Sequence, residues 1–414
     1  MTAIVETDLC VVGGGPVAAQ VALAAAQLGA RVVLAGEPAF DGAVVLRVLA
    51  EAGRAVGAAR AVGAAVTVDW PSITRRMVDA VATAAATIAP ARLEGLGVRL
   101  LPPGQFVGPA EIVAGGRRVM AKRFVVVPGP GRPAAGLAAL TSAELPPRLV
   151  VAGGGAAALT LAQAIRRCGC AVRLRAPAGP LPGFDAELAE LVSRRLAADG
   201  VDFATDGGEG GEPVLEMPEP WPALAGLGLD KAGIAWGDQS GIVVDRGWRS
   251  GNRRVWAVPF GLALHPNAVA AAVLRGALLR LPGRVPPPVR LVLSDPPLAQ
   301  IGLDEAAAAR AGITFRLLRW QTEDGGLIKV VTDRRFRVLG AGIVAAGAAE
   351  LIQPWGLAVA RRLSALALTE APPPSPSGAD ANRQAAASAL MPLLLGGKIQ
   401  RWVRLMLRLT RPPA

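Results

Sequence analysis

Histidine occurs once in this chain, at 265, and cysteine three times, at 10, 168 and 170. That cysteine count excludes a disulfide-stapled secreted scaffold. One imidazole beside a Cys168-Gly169-Cys170 pair is a poor zinc set, so no metal site is expected. The pair reads either as small buried residues at a helix end or as a C-x-C redox pair. Lysine stands only at 122, 231, 329 and 398, so arginine carries nearly all of the +12 formal charge. A basic balance admits nucleic acid or an anionic membrane as partner. The arginines are scattered, however, and aromatics make up 4% of the residues, too few to stack bases. No nucleic-acid partner is expected. Basic residues are also missing from the N-terminus, where Glu6 and Asp8 stand in place of a secretory leader's positive region. The uncharged run 9–30 is long enough to span a bilayer, but three glycines interrupt it. It reads as strand, tight turn and helix. A cytoplasmic protein is expected.

What is present is a 414-residue chain that is 52% hydrophobic, enough for two or three domains with a sizeable core. Asp8-Leu9-Cys10-Val11-Val12 is a buried-strand pattern. Gly13-Gly14-Gly15-Pro16-Val17-Ala18 follows, then an Ala/Leu-rich helix to Leu28 and a second strand, Arg31–Leu34. This is a βαβ opening with G-x-G-x-x-A, whose glycines permit the turn and the close approach of a pyrophosphate at the helix N-terminus. The pattern recurs. Leu149-Val150-Val151 leads into Gly153-Gly154-Gly155-Ala156-Ala157-Ala158, a helix through Ile165 and a strand at 171–174. The repeat predicts two nucleotide-binding domains. Between them the spacing predicts a helix from Ile73 to Ile88 and a strand at Arg123–Val127. Pro/Gly-rich stretches at 128–136, 177–183 and 207–223 read as loops or domain edges. From Val289 onward the texture becomes alternating strands, such as 327–331 and 338–343, plus helices.

Several further segments are collinear over some 380 residues: Ile88-Ala89-Pro90, Glu94–Val98, Arg249-Ser250 with Asn252 and Val255-Trp256-Ala257, Ser294-Asp295-Pro296 with Ala299–Leu303, and Lys329-Val330 with Leu339-Gly340-Ala341. In this order the chain resembles the pyridine nucleotide-disulfide oxidoreductases, in particular the mercuric reductase and dihydrolipoamide dehydrogenase branch. The resemblance implies an α/β fold: two Rossmann-like FAD/NAD(P)-binding domains plus an α+β C-terminal dimerisation domain. The implied boundaries are 1–145 and 240–284 for a split FAD-type domain, 146–239 for a shortened NAD(P)-type domain, 285–395 for dimerisation, and 396–414 for a basic amphipathic helix. It also implies a homodimer. The residues it assigns to cofactors are Gly13, Gly15, Ala18, Glu37 and Gly129 for FAD, and Gly153, Gly155, Ala158, Arg173 and Arg175 for NAD(P).

The family's chemistry passes hydride from nicotinamide to flavin and on to a Cys-x4-Cys disulfide, with a C-terminal His-Glu pair as acid/base. This chain departs from it at each step. Phe40–Arg47 stands where the cysteines belong and has none. The family's His-Pro-Thr-x-x-Glu reads Ser375-Pro376-Ser377-Gly378-Ala379-Asp380, and a serine cannot titrate near neutrality. The ribose-binding acid falls at Gly36, with Glu37 one position on. The flavin-holding Asp falls at Phe260, and the Ala-Thr-Gly turn reads Val127-Pro128-Gly129. In the second unit the ribose acid falls at Ala176 and the nicotinamide-side Glu at Thr160. Arg173 and Arg175 are open to two readings, a 2′-phosphate site or solvated strand ends. His265 is either a flavin-side residue or a helix cap. Each lost buried hydrogen bond costs roughly 1–3 kcal/mol, and two or three losses weaken binding by about a hundredfold to a millionfold. FAD and NAD(P) are therefore expected to bind weakly, and no catalytic residue is assigned.

Residues 398–411 carry positive side chains at 398, 401, 404, 408 and 411, with Ile399, Trp402, Met406 and Leu409 on another face. The helix suits either an anionic membrane surface, met through Lys398–Arg411, or docking on the dimerisation domain. Three functions remain in view: a dimeric scaffold or regulator without disulfide reductase activity that pairs with an intact oxidoreductase, an FAD-dependent NAD(P)H oxidoreductase with a non-disulfide acceptor, and a peripheral membrane adaptor.

Overall fold

The computed structural model describes residues 4–37, 42–129, 140, 144–204, 212–217, 224–237, 241–259, 265–281, 289–374, 377–390 and 397–409. Phe40, Asp41, Phe260, Ser375, Pro376 and Arg411 lie outside the described residues. The chain divides into two compact units, residues 1–180 with 199–285, and residues 181–198 with 286–414. The architecture is mixed α/β: two Rossmann-like sheets in the first unit and a separate antiparallel sheet in the second.

The first unit opens with β1 (Ile4–Gly13), α1 (Gly15–Gln27) and β2 (Val32–Ala35), the strand-turn-helix-strand expected from the glycine run. The segment 9–30 is thus no membrane span, and among the described residues no helix is long and apolar enough to cross a membrane. Two helices follow, α2 (Ala43–Ala61) and α3 (Trp70–Thr87), the latter starting three residues ahead of the sequence expectation because Asp69 caps it through Ser72 N–H at 3.3 Å. After α4 (Pro90–Gly95) come β3 (Val98–Leu101), β4 (Gly104–Gly108), β5 (Glu111–Ala114) and β6 (Arg117–Val127). The first sheet runs β3-β2-β1-β6-β5-β4. Its parallel core pairs Leu9 with Val32 on one side and with Arg123 on the other.

A second parallel sheet has the order β10-β7-β8-β9, built from β7 (Arg148–Ala152), β8 (Ala171–Arg175), β9 (Asp202–Ala204) and β10 (Val214–Glu216). Helix α5 (Ala156–Arg167) crosses from β7 to β8. The last two strands are three residues each. The chain then returns to the first sheet. A small β11–β12 hairpin (236–237 and 241–242) is followed by β13 (Val255–Ala257), which pairs parallel with β6, and by α7 (Pro266–Ala277). One face of the first sheet buries Leu9, Val11, Val125 and Trp256 against α1 and α7; the other buries Cys10, Phe106, Phe124 and Val126. This is the alternation expected of strands covered on both sides.

The second unit is a five-stranded antiparallel sheet, β14-β15-β18-β17-β16, made of β14 (Val289–Val292), β15 (Leu298–Gly302), β16 (Arg316–Gln321), β17 (Leu327–Thr332) and β18 (Val338–Val344). Helices α8 (Glu305–Arg310), α9 (Ala348–Arg361) and α10 (Asp380–Ala387) belong to it, with Trp355 fully buried and donating its indole N–H to Asn382 at 2.7 Å. Helix α6 (Ala186–Ala198), reached from β8 in sequence, belongs to this unit too. Lys329, 5% exposed, explains part of that association. Its ammonium meets Asp185 at 2.9 Å, Glu187 at 3.3 Å and Glu305 at 2.7 Å. Burial opposes the charge on Lys329, but the three carboxylates outweigh it and raise the pKa above the ordinary lysine value.

Candidate dinucleotide cradles

Both glycine-rich turns have the geometry that receives a pyrophosphate. In the first, β1 ends at Gly13 with φ +126° and α1 begins at Gly15 with φ +81°. A Cβ at Gly13 would overlap the Val127 carbonyl oxygen, so only glycine lets β1 and β6 end side by side there. Ala18 is fully buried, small enough for the helix to lie close on the strand. The Gly15 N–H donates to the Glu37 carbonyl at 3.0 Å, and Pro16 has no N–H to offer. Gly129, just past β6, meets no neighbour within 4 Å of an added Cβ among the described residues.

The second turn repeats this. Gly153 has φ +151°, and a Cβ there would overlap the Met217 carbonyl oxygen and meet the Ala158 methyl at 3.4 Å. Gly155 caps α5 without a side-chain hydrogen bond, and Ala158 is 1% exposed.

The residues that would read a ribose fit less well. Gly36 is buried, with φ +157°, and a Cβ there would overlap the Gly13 carbonyl oxygen. An acidic side chain does not fit that position. Glu37 is exposed and contributes its carbonyl to the turn. Beside the second turn, Arg173 bonds Asp202 at 2.8 Å, and Arg175 bonds Glu216 at 3.1 Å. A phosphate would have to displace those carboxylates. Thr160 is buried, 3% exposed. Both turns thus keep the strand-turn-helix backbone of a dinucleotide fold, but at the first the Gly15 N–H is spent on the Glu37 carbonyl, and the position of the FAD ribose acid does not fit its carboxylate.

The thiols lie inside the protein. Cys10, Cys168 and Cys170 are free and buried. Burial pushes Cys168 and Cys170 up to about 11, and raises fully buried Cys10 further. The helix that follows the first βαβ unit, α2, presents Val45, Val48, Leu49, Ala52 and Val56 to the interior and packs on α5. Gly53 makes that contact close, since a Cβ there would come within 2.8 Å of Ala164 Cα. Arg167, 4% exposed, pins the joint: it reaches Asp199 at 2.9 Å and the Gly53 carbonyl at 3.4 Å. The sequence carried a signal for α2, apolar residues at i, i+3, i+4, i+7 and i+11 from Val45.

His265 caps α7: its Nδ1 accepts the Asn267 N–H at 3.3 Å, and the residue is exposed. Asp380 bonds Arg383 at 2.8 Å and Gln384 at 3.1 Å, contacts that hold its carboxyl below the ordinary range. The C-terminal helix Gly397–Leu409 exposes Ile399, Trp402, Val403, Leu405, Met406 and Leu407. Among the described residues no His/Cys/Asp/Glu cluster suited to a metal occurs.

Paired Rossmann-like sheets with glycine-rich turns, joined in one chain to an antiparallel sheet unit, define a two-dinucleotide-fold protein. Sequence comparison gives the family. Residues 112–208 match the pyridine nucleotide-disulphide oxidoreductases, and residues 289–386 match the dimerisation domain of the same family. The chain belongs to the pyridine nucleotide-disulphide oxidoreductase family. It is 29% identical to a glutathione reductase of Burkholderia cepacia, over 86% of this chain and 92% of that protein. It is 28% identical to a mercuric reductase of Acidithiobacillus ferrooxidans over 56% of this chain, spanning only 49% of that relative. In fold it is similar to LpdA of Mycobacterium tuberculosis, with TM-score 0.76 and 22% identity over 92% of this chain and 99% of that one.

Proposed function

We propose that this chain is a dimeric, cytoplasmic family member without disulfide reductase activity, a nucleotide-binding-type scaffold or regulator that pairs with an intact oxidoreductase. One observation carries the reading. All three cysteines are buried, with pKa values raised by burial, and none lies in or before α2, apart from strand-bound Cys10. No thiolate is available to take electrons from a flavin or to pass them on. The single histidine is occupied as a helix cap. FAD and NAD(P) bind weakly in this reading, through Gly13, Gly15, Ala18 and Gly129 and through Gly153, Gly155 and Ala158, because the backbone cradles survive while the ribose-reading side chains are replaced. Purified protein is expected to be colourless, and to show no NADH- or NADPH-dependent reduction of lipoamide, glutathione disulfide or mercuric ion. Turnover well above a heat-treated control would overturn the reading.

A second reading is an FAD-dependent NAD(P)H oxidoreductase that delivers electrons to a non-disulfide acceptor. The conformations of Gly13 and Gly15 favour it. A yellow protein that holds near-stoichiometric FAD through gel filtration would establish it over the first. The exposed apolar side chains of Gly397–Leu409, with Arg401 and Arg404 on another arc, favour adding a peripheral contact with an anionic membrane. Liposome flotation with and without residues 396–414 tests that contact.

A further inference from the structure

Four arginines gather at the end of the first sheet remote from its glycine turn. Arg123 lies on β6 opposite Leu9, four residues before Val127, which pairs with Gly13. Four residues of strand separate the two levels by about 13 Å. Arg254 precedes β13, which enters the sheet with Val255 beside Phe124. Arg249 stands across a β-bridge from Trp256, and Arg280 follows α7. Trp256 is 6% exposed and forms the floor, with the Arg249 guanidinium 5.7 Å and the Arg123 guanidinium 6.0 Å from its ring.

These charges are not neutralised among the described residues. No carboxylate there forms an ion pair with Arg123, Arg249, Arg254 or Arg280. Asp8, close by on β1, is engaged by Arg31 at 3.2 Å and Lys122 at 2.8 Å. Asp245 accepts the backbone N–H groups of Gly247 and Arg249, at 2.7 and 3.0 Å. Arg123 feels the crowding: burial first, then Arg280, Arg254 and Arg249, lower its pKa. Like charges held together in this way cost stability unless something else gathers there.

We propose that Arg123, Arg249, Arg254 and Arg280 form a binding site for an anion carrying several linked phosphates, separate from both dinucleotide cradles. Planar guanidiniums pair bidentately with phosphate oxygens, and a row of four suits an oligophosphate better than a single carboxylate. Trp256 is too covered to stack a base, so the site reads phosphate and not nucleobase. The clustered phosphate has two natural sources, a soluble oligophosphate and several phosphomonoester lipid headgroups set side by side in a membrane.

The test is calorimetric titration of the full chain with inorganic tripolyphosphate at low salt, where such contacts are least screened. Saturable binding of one anion per chain is expected. Removing each guanidinium should weaken it roughly tenfold or more. R123Q/R249Q probes the pair over Trp256. R254Q/R280Q probes the two exposed arginines and guards against misfolding of the first variant. R194Q, at an exposed helical site, is the control. Loss in either double variant but not in the control supports the site. Absence of saturable binding, or equal loss in all three variants, overturns it. Vesicles of phosphatidylcholine with phosphatidic acid separate the sources. If the double variants also lose vesicle binding, the lipid headgroup is the source; if they lose tripolyphosphate alone, it is the soluble anion. The test needs no flavin, so its failure is distinct from failure of the function proposed above.

Discussion

The two glycine-rich turns are alike in backbone and unlike in what surrounds them. At the first, Gly13 lies against Val127 and Gly36 lies against Gly13, so Gly13 is closed in by backbone from β6 and from the end of β2. At the second, Gly153 lies against Met217, but the ribose position is Ala176, which already carries a Cβ. In both, the contact that demands glycine is made by the protein's own chain. The motif therefore has a structural reason to persist that is independent of any bound nucleotide. Under the function proposed above, side chains that would read a ribose have no such structural reason to persist.

The largest effect should come from the glycines. G13A and G153A should each destabilise the protein by about 3–5 kcal/mol, from backbone strain and overpacking together. Urea denaturation without added nucleotide measures this. If either variant is harmless in that condition, the glycine is held by ligand and not by packing, and the comparison fails.

Next in size is the joint that only the second turn carries. R167A should cost about 3 kcal/mol, because it leaves Asp199 and the Gly53 carbonyl short of a partner at a buried contact. Hydrogen exchange should rise in α2 and α5 before it rises in α1.

Restoring the acids should separate the two turns directly. A176E adds a carboxylate where a Cβ is already accommodated, and should tighten NADH binding roughly tenfold. G36E should not improve FAD binding, since its Cβ meets the Gly13 carbonyl. Fluorescence titration of each variant with its nucleotide decides, and an improved FAD affinity in G36E would break the comparison.

The smallest effect concerns pH. Hydrogen bonds from Arg31 and Lys122 hold the Asp8 carboxyl well below its ordinary value. A depressed carboxylate stabilises the fold above about pH 4, the unfolded value, and this is lost as pH falls towards the folded value. The pair is partly solvated, so D8N should remove less than about 1 kcal/mol at pH 7 and flatten the acid limb of the stability profile.

Much of the fold was legible in the sequence. The βαβ openings at 8–34 and 149–174 and the strands at 327–331 and 338–343 declare themselves through periodicity, which a packed sheet enforces at every position. Helix α2 was equally periodic, but its segment was read only for the cysteines it lacks. The membership of α6 in the C-terminal unit was not legible, because an amphipathic face does not name the surface it covers. The arginine cluster was hidden for a related reason. Positions 123, 249, 254 and 280 are scattered in sequence, and only the return of β13 to β6 brings them together.

The Asp185–Lys329 contact joins partners 144 residues apart. On the ribosome, α6 emerges long before the strand that receives its flanking carboxylates. At ordinary elongation rates of about 5–20 residues per second, the delay is on the order of 10–30 seconds. Throughout that interval Leu188 and Val192, fully buried in the finished protein, have no completed sheet to cover them. The nascent chain is thus most open to chaperones, or to capture by another copy, in the middle of its synthesis.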